Sequence, residues 1–343
     1  MSERPARPTG DVRLAVLGAG SWGTTFSLLL ARAGRRATLW ARREDVAAEI
    51  RTRRTNSRYL GERTLPPAIT ATSDIAEALE DADGIVLAVP AQSLRQNLDT
   101  WREQIGALPD VPVLSLMKGI ERGTDERMST VIAAAGGVDP ARIAVLSGPN
   151  LAGEIAADQP CASVIAAPEE DLAERLATWT AGPSFRTYTS TDVLGVEIAG
   201  AAKNVIALAV GAAAGLGYGD NSRASLITRG LAEITRLGVA LGADAATFAG
   251  LAGMGDLVAT CSSPLSRNHR LGHALGRGLG VEDALADVGQ TAEGVTTARA
   301  VGDLAAQVGV DMPITRGVIE VVDEQADISA LTAALLSRSV RPE

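Results

Sequence analysis

Two lysines in this chain stand where an ammonium group could act on a bound molecule. Lys203 lies within an almost wholly apolar helical stretch at residues 195–205. Burial there lowers the pKa of the amine toward the range of a general base, unless the side chain extends along the helix to solvent. Lys118 follows an apolar run and precedes a glycine, which indicates either a ligand for an anionic or carbonyl oxygen or an ordinary surface lysine. Lys203 is therefore the better candidate for catalysis.

Further along the chain, an acid and a polar helix start could complete such a site. Asp256 lies beside two glycines, and it could orient Lys203, accept a hydrogen bond from a substrate hydroxyl, or serve only as a turn residue. Ser266, Arg267 and Asn268 begin a predicted helix that runs to about residue 277. The N–H groups of a helix start, a capping hydroxyl and a guanidinium together suit a phosphate group. This segment predicts a site for a phosphorylated small molecule.

The chain opens with a glycine pattern that is typical of dinucleotide binding. An apolar run at residues 12–17 leads into Gly18, Gly20 and Gly23, which have the spacing G-x-G-x-x-G. The first glycine permits a tight turn, the second lets the backbone approach a pyrophosphate, and the third lets the next helix pack closely. A helix-prone stretch at residues 24–33 and a predicted strand at 37–40 supply the expected context. A glycine turn in another kind of α/β unit is the alternative.

The residues after the second predicted strand bear on the choice between NAD and NADP. An acid at that place accepts hydrogen bonds from the ribose hydroxyls of NAD, whereas an arginine favours the 2′-phosphate of NADP. This chain has Arg42 and Arg43 there, which favours NADP. Alternatively, both are solvated charges that open a helix beside Glu44 and Asp45.

Alternating strand and helix patterns predict the elements that must position these residues. Short β-prone runs occur at residues 84–90, 112–116, 143–147, 163–166 and 185–188. Strands that are apolar on both faces belong in a covered, mostly parallel sheet, which binds ligands at the carboxyl ends of its strands. We predict an α/β fold in which a doubly wound, mostly parallel Rossmann sheet (11–190) follows a flexible tail (1–10) and precedes an all-helical second domain (191–343). The Ala/Gly-rich second domain could also pack against a second copy as a homodimer.

Composition restricts the class of protein. The chain has 343 residues and is 46% hydrophobic, which is typical of two globular domains, and its formal net charge of −9 argues against nucleic-acid binding. The longest uncharged apolar stretch, residues 204–219, is shorter than the roughly 20 residues of a membrane span and indicates a buried helix. Cys161 and Cys261 lack metal-ligand spacing and follow no signal peptide, which predicts a reduced, cytoplasmic protein without a disulfide.

The sequence predicts no metal site. His269 and His273 stand four residues apart, as in the zinc-binding pattern H-E-x-x-H. Arg270 occupies the place of the glutamate, however, and no Ser/His/Asp arrangement is visible. Nicotinamide chemistry needs no metal when a protein group handles the proton.

Taken together, these segments resemble the NAD(P)-dependent glycerol-3-phosphate dehydrogenases of bacteria. The resemblance spans nearly the whole chain, and its most specific parts are the helix around Lys203 and the stretch from residues 252–257 to 266–268. Other matching segments are residues 18–24, 118–121, 147–149, 224–231, 293–294 and 312–314. The resemblance implies interconversion of sn-glycerol 3-phosphate and dihydroxyacetone phosphate with NAD or NADP, which supplies glycerol 3-phosphate for glycerophospholipid synthesis.

The resemblance also implies roles for individual residues. Lys203 is expected to accept the proton when the C2 hydroxyl is oxidised, with Lys118 and Asp256 as the other catalytic residues. The expected substrate contacts are Lys118, Gly148, Asn150, Lys203, Asp256, Ser266, Arg267 and Asn268. The expected cofactor contacts are Gly18, Gly20, Ser21, Trp22, Gly23, Arg42, Arg43, Lys118, Ala152, Arg267 and Glu293. The chain departs from the family at residues 150–151, Asn-Leu, where relatives usually carry Ser or Thr followed by an aromatic residue or His.

The sequence also allows two other functions. The chain could be another two-domain NAD(P)-dependent dehydrogenase that acts on a hydroxy or keto acid, although the phosphate-type helix start argues against it. It could also be a non-catalytic NADP-binding sensor, which would have little need of a lysine in an apolar helix. Absorbance of the reduced nicotinamide in the presence of dihydroxyacetone phosphate distinguishes the three.

Overall fold

The computed structural model describes residues 12–289, 292–324, 326 and 328. These residues form two compact units, of which the first takes in residues up to 117 and 128–193, and the second takes in 118–127 and the residues from 194 onward. The sequence patterns did not indicate that residues 118–127 group with the helical unit. The predicted tail, residues 1–10, and the end of the predicted second domain lie outside the described residues.

The first unit contains a single eight-stranded sheet. Its strands, β1 to β8 in chain order, are Arg13–Leu17, Arg36–Trp40, Ile69–Thr72, Gly84–Leu87, Val113–Ser115, Ile143–Ser147, Cys161–Ala166 and Phe185–Ser190. The helices α1 to α8 of this unit are Ser21–Arg32, Glu44–Arg53, Ser57–Leu60, Ile75–Leu79, Leu94–Ile105, Met128–Gly136, Ala152–Ala156 and Glu170–Thr180.

The strand order is β3-β2-β1-β4-β5-β6-β7-β8, and β1 lies beside both β2 and β4. Strand order reverses around β1, which is the doubly wound arrangement that the patterns predicted. All neighbouring pairs are parallel except β6 with β7, which run antiparallel. The predicted mostly parallel Rossmann sheet is therefore confirmed, with one strand, β3, that the sequence patterns missed.

Both faces of the sheet are covered, as continuous apolar strands require. Along β1, Leu14 and Val16 belong to one hydrophobic core, while Ala15 and Leu17 belong to the other. Successive side chains of a strand point to opposite faces, so β1 divides its residues between two layers of helices. The strand interiors are therefore filled, and a ligand of such a sheet is expected at the carboxyl ends of its strands.

From residue 194 onward, the described residues of the second unit form helices joined by loops. Its helices, α9 to α16, are Val193–Gly215, Asp220–Ala240, Ala245–Ala249, Asp256–Ser262, Arg267–Gly276, Val281–Val288, Glu293–Gln307 and Pro313–Glu324. α9 is the only helix in the described part of the chain that is long and apolar enough to cross a membrane. However, 83% of its most apolar 18-residue stretch is buried inside the protein. α9 is thus a core helix of this unit, and the buried helix predicted for residues 204–219 ends in the structure at Gly215.

Helices α9 and α13 cross at very short range, and this contact depends on glycine. A Cβ atom added to Gly272 of α13 would lie 2.0 Å from the carbonyl oxygen of Leu208 in α9. In return, a Cβ added to Gly211 of α9 would lie 2.1 Å from the carbonyl oxygen of His269 in α13. No real Cβ atom tolerates such distances, so any larger residue forces the helices apart. The crossing fixes the start of α13 relative to the lysine-bearing part of α9.

We predict that Gly272→Ala destabilises the protein although alanine is the better helix former. Overpacking a tight contact costs about 1 to 3 kcal/mol, which exceeds the roughly 1 kcal/mol that alanine gains over glycine in a helix. The matched control is Gly317→Ala in α16, where the added Cβ meets nothing within 4 Å. Urea denaturation should show a lower midpoint for Gly272→Ala and an equal or higher one for Gly317→Ala. Equal behaviour of the two variants contradicts the close crossing.

Candidate functional site

Lys118, Lys203 and Asp256 form one cluster in the second unit, which we call the lysine–aspartate cluster. Lys203 Nζ donates to Asp256 Oδ1 at 2.5 Å, and Lys118 Nζ donates to Asp256 Oδ2 at 2.6 Å. The side chains of Asp256 and Lys203 are 1% and 7% exposed, and that of Lys118 is 13% exposed. The structure therefore brings the three predicted catalytic residues together around a single carboxylate.

Local helix geometry places Asp256. A π-helical turn at Leu251–Gly255 runs directly into α12, and Asp256 is the first residue of α12. The sequence allowed a loop here with Asp256 as a turn residue, but the segment is helical. Thr260, one turn further along α12, donates to the Asp256 carbonyl oxygen at 2.6 Å and accepts from Lys203 Nζ at 2.7 Å. Sequence analysis missed Thr260, whose i+4 spacing from Asp256 is informative only once the segment is known to be a helix.

Burial and charge set the protonation of the cluster. Burial lowers the pKa of Lys203 from its ordinary value of 10.5 to about 8; the carboxylate of Asp256 opposes this shift, and the charge of Lys118 adds to it. Burial alone would raise the pKa of Asp256, but the charges of Lys118 and Lys203 outweigh it and hold the pKa below its ordinary value. The cluster can thus keep a buried carboxylate ionised while Lys203 gives up a proton near neutral pH.

The Lys203 ammonium has three N–H bonds, and the contacts with Asp256 and Thr260 use two of them. The third is available to an oxygen of a bound molecule. Two ammonium groups facing one carboxylate also carry a net charge of +1. Such a site suits an anionic substrate or an oxygen on which negative charge develops.

A chain of amide hydrogen bonds connects this cluster to the start of α13. Asn204, which follows Lys203, donates from Nδ2 to the carbonyl oxygen of Lys118 at 3.2 Å. Asn268 Nδ2 donates to Asn204 Oδ1 at 2.9 Å, and Asn268 Oδ1 accepts from the Gly294 N–H at 2.9 Å. Asn204 is a second residue that sequence analysis missed, because an Asn beside a lysine has no signal of its own.

The predicted helix start is confirmed, and its residues differ in their surroundings. Ser266 caps α13, with its hydroxyl oxygen accepting from the His269 N–H at 3.3 Å. Asn268 is buried, and its Oδ1 and one of its two Nδ2 hydrogens form the hydrogen bonds just described. Arg267 is exposed, and no ion pair is formed by it within the described ranges. Its guanidinium is therefore an exposed positive charge at this helix start.

In the first unit, the glycine loop has the geometry that a dinucleotide requires. Gly18 has a φ of +127°, and a Cβ on Gly23 would lie 1.9 Å from the Gly18 carbonyl oxygen, so the turn and α1 pack as the motif predicts. A Cβ on Gly20 would meet nothing within 4 Å. Ser21 and Trp22 open α1, where no side chain among the described residues caps the N-terminus.

Trp22 offers an independent test of the fit to a cofactor. Its ring packs edge-on against Phe26 at a centroid distance of 5.7 Å, while its Nε1 atom is buried without an acceptor among the described residues. A buried donor without a partner is costly, and a phosphate or ribose oxygen would satisfy it. The open helix N-terminus and this donor both suit a dinucleotide pyrophosphate.

Arg42 and Arg43 follow β2 after one intervening residue, Ala41, and both are exposed. Arg43 is the residue before α2 and forms a two-point contact with Asp45, in which Nε donates to Oδ1 at 2.9 Å and a terminal nitrogen contacts Oδ2. Glu44 pairs instead with Ser73 and Arg51. The structure thus shows Arg43 engaged with a neighbouring acid, as the alternative interpretation allowed.

The remaining predicted residues lie at element ends in both units. Gly148 and Asn150 follow β6, and Asn150 Oδ1 accepts from Ser163 Oγ at 2.5 Å while its Nδ2 is buried without a partner in the described chain. Ala152 opens α7 and accepts from Thr25 Oγ1 of α1 at 3.4 Å, so it lies beside the glycine-loop helix. Glu293 opens α15 in the second unit. The described residues contain no group of three or more His, Cys, Asp or Glu that could hold a metal.

Comparison with known proteins gives a consistent result over both units. A family model described as the NAD-dependent glycerol-3-phosphate dehydrogenase N-terminus matches residues 13–173, and the corresponding C-terminus matches residues 192–333. A protein named glycerol-3-phosphate dehydrogenase (NAD(P)+) from Streptomyces griseus subsp. griseus is 54% identical over 335 residues, covering 98% of this chain and 99% of the relative.

Two further relatives agree. A protein of the same name from Corynebacterium glutamicum strain R is 55% identical over 333 residues, covering 97% of this chain and all of the relative. The crystal structure of glycerol-3-phosphate dehydrogenase from Coxiella burnetii has a TM-score of 0.90 and 36% identity, covering 96% of this chain and 100% of that one. Because the matches reach from the glycine loop to the last helices, the chain belongs to the NAD-dependent glycerol-3-phosphate dehydrogenase family.

Proposed function

We propose that this protein interconverts sn-glycerol 3-phosphate and dihydroxyacetone phosphate with NAD or NADP, and so supplies glycerol 3-phosphate for glycerophospholipid synthesis. The observation that carries the proposal is the lysine–aspartate cluster, in which a buried ammonium of lowered pKa has one N–H bond left for a substrate oxygen. Family membership supports the same activity.

A nicotinamide dinucleotide held by the glycine loop, Ser21 and Trp22 would supply or take up the hydride at C2 of the substrate. In the direction of reduction, the Lys203 ammonium donates a hydrogen bond to the C2 carbonyl oxygen and transfers its proton to the developing alkoxide. In the direction of oxidation, neutral Lys203 accepts the proton of the C2 hydroxyl. Asp256 holds the Lys203 nitrogen in place, and Lys118 adds positive charge where the oxyanion forms.

The substrate phosphate is proposed to bind at the start of α13. The guanidinium of Arg267 supplies charge-assisted hydrogen bonds, and the backbone N–H groups of the first turn supply further donors. One Nδ2 hydrogen of Asn268 remains after its bond to Asn204. Since Asn268 is linked through Asn204 to the residue beside Lys203, phosphate bound here would be held at a fixed distance from the amine. In unit 1, Gly148 and Asn150 remain proposed substrate contacts.

For the cofactor, we propose a preference for NADP. The glycine loop, Ser21, Trp22 and Ala152 would hold the dinucleotide, and Arg42 and Arg43 would meet the 2′-phosphate. Lys118, Arg267 and Glu293 stay proposed cofactor contacts from the second unit. Arg43 binds the carboxylate of Asp45 through two of its nitrogens, and the same two-point geometry suits a phosphate.

We further propose a cytoplasmic homodimer. Cys161 and Cys261 are both free, and burial raises their pKa to about 11 and about 12, so neither carries the thiolate that disulfide exchange requires. Among the described residues, most exposed large apolar side chains lie in the second unit: Val239, Met254, Val258, Leu265 and Leu279. Their exposure supports contact between second units of two copies.

The alternatives lose support at this site. A hydroxy- or keto-acid dehydrogenase has no use for a phosphate-type helix start with a free arginine. A non-catalytic sensor would have no use for a buried lysine whose pKa is lowered to about 8.

We predict that Lys203→Ala lowers kcat by about 10² to 10⁴, because it removes the group that moves the proton. Cofactor binding, measured by quenching of protein fluorescence, should persist since the glycine loop is in the other unit. In the wild type, kcat for reduction should fall as pH rises through about 8, because the ammonium then loses its proton. The rate of oxidation should rise over the same range.

Lys203→Arg is the matched control, since it keeps the positive charge but titrates above about 12. Its residual reduction rate should show no decline near pH 8. A decline that persists in this variant would assign the titration to another group.

We predict that Arg267→Ala acts mainly on the phosphorylated substrate. Charge-assisted bonds of this kind contribute roughly 1.5 to 3 kcal/mol, so kcat/KM for dihydroxyacetone phosphate should fall about 10- to 150-fold. The value for unphosphorylated dihydroxyacetone should change far less. Arg270→Ala removes the same charge from the next turn of α13 and serves as control. Equal losses on both substrates would exclude Arg267 from the phosphate site.

We predict that Arg42→Ala/Arg43→Ala shifts the cofactor preference from NADPH toward NADH. The variant loses the partners of the 2′-phosphate, while Gly18, Gly20 and Gly23 still hold the pyrophosphate. Dissociation constants of both cofactors should be measured, with Arg53→Ala on the exposed side of α2 as control. A proportional rise of both constants, or no change, would leave the arginines as solvated charges and remove the basis for NADP preference.

A further inference from the structure

Residues 118–127, which we call the Lys118 loop, form a closed unit. Ile120 and Arg127 face each other in an antiparallel bridge, and the Glu121 N–H donates to the Glu126 carbonyl oxygen at 2.9 Å. Thr124 Oγ1 also donates to a carboxylate oxygen of Glu121 at 2.6 Å. The two ends of the loop are therefore held together. A displacement of Arg127 would also move Ile120, which is two residues from Lys118.

The loop is attached to α9 at two points. At its start, the Lys118 carbonyl oxygen accepts from Asn204 Nδ2 at 3.2 Å. At its end, Arg127 Nη1 donates to Glu197 Oε2 at 2.6 Å. Glu197 and Asn204 are seven residues apart, which is about two helical turns, so they lie on the same face of α9. Between these points, Ile120 is packed into the core of the second unit.

The second attachment point is under a strong energetic constraint. The Glu197 side chain is 5% exposed and that of Arg127 is 29% exposed. A carboxylate so deeply buried requires a charged or hydrogen-bonding partner, and a broken pair is much less favourable than an intact one. The ion pair therefore fixes the position of the loop end more firmly than a surface ion pair would.

We propose that Arg127 and Glu197 are positioning residues that hold Lys118 against Asp256 for the reaction. The inference rests on the proposed function, in which Lys118 adds positive charge at the substrate oxygen. Asn204 fixes the Lys118 end of the loop, and Ile120 and Asp125 contact the rest of the second unit between the two ends. With Arg127 bound to Glu197, the loop is fixed at both ends, and the Lys118 ammonium stays on Asp256 Oδ2. Arg127 thus acts through Lys118 without touching the substrate.

A double-mutant cycle tests this directly. Arg127→Met should lower kcat/KM for dihydroxyacetone phosphate roughly 10-fold, within the range measured for coupled residues. In a Lys118→Ala background, Arg127→Met should lower it less than about 2-fold further, because the group it positions is gone. Independent multiplication of the two losses overturns the proposal. Arg299→Met, which breaks the Arg299–Asp323 ion pair elsewhere in the second unit, is the control and should leave kcat/KM unchanged.

Folding defects are separated from positioning by two further measurements. Arg127→Lys keeps a positive charge opposite Glu197 and should recover most of the activity that Arg127→Met loses. Hydrogen exchange of the 118–127 amides should be faster in Arg127→Met while exchange in α13 stays unchanged. Unchanged exchange in the loop overturns the proposal, whatever the activity. A wild-type protein that fails to reduce dihydroxyacetone phosphate contradicts the proposed function instead, and the exchange result still decides whether the ion pair holds the loop.

Discussion

The buried carboxylate of Asp256 determines which segments of the second unit must meet, because its two oxygens need partners. An ionised carboxylate removed from water costs several kcal/mol unless its oxygens are paired and hydrogen-bonded. Here each oxygen has its own ammonium partner, one from α9 and one from the Lys118 loop. Three segments far apart in the sequence must meet at this point, and the meeting fixes the position of Lys203, whose pKa burial lowers against the opposing charge of Asp256. The stability of the unit and the position of the lysine therefore depend on the same contact.

Helix α9 reconciles two conflicting demands. Its apolar and small residues let it pass through the centre of the unit and approach α13 closely at Gly272. The same burial would make any polar residue on it unfavourable, yet it carries Glu197, Lys203 and Asn204, all buried. Each is compensated by a partner from another segment. The apolar setting that lowers the pKa of Lys203 is thus acceptable only because the neighbouring segments supply the missing hydrogen bonds.

The sequence predicted those features that depend on local pattern. The glycine loop, the helix containing Lys203 and the capped start of α13 at Ser266 follow from spacing and hydrophobicity, and all three are present. β3 was missed because its residues 69–72 mix Thr with apolar residues and give only a short signal. The antiparallel direction of β7 depends on how the chain connects β6 to β7, and the residues of β7 themselves do not indicate it.

The rest of the site depends on contacts between distant segments. Thr260 and Asn204 acquire meaning only from what they touch, since Thr in a short helix and Asn beside a lysine are common. The pairing of Arg43 with Asp45 likewise depends on side-chain directions at a helix start. The order of charged residues in the sequence does not determine these directions. Sequence therefore predicted the candidate chemical groups, whereas their partners became visible only in the three-dimensional arrangement.

The assignment of the Lys118 loop to the helical unit limits how this enzyme can be taken apart or recombined. The two family models divide the chain between residues 173 and 192. A chimera that joins the N-terminal part of one relative to the C-terminal part of another would naturally be cut there. Such a cut leaves Lys118 and Arg127 on one fragment and Asp256 and Glu197 on the other. The isolated helical fragment would then contain two buried carboxylates that have each lost a cation. A chimera of this family has to carry the Lys118 loop and α9 from the same parent, although some seventy residues of sequence separate Arg127 from Glu197.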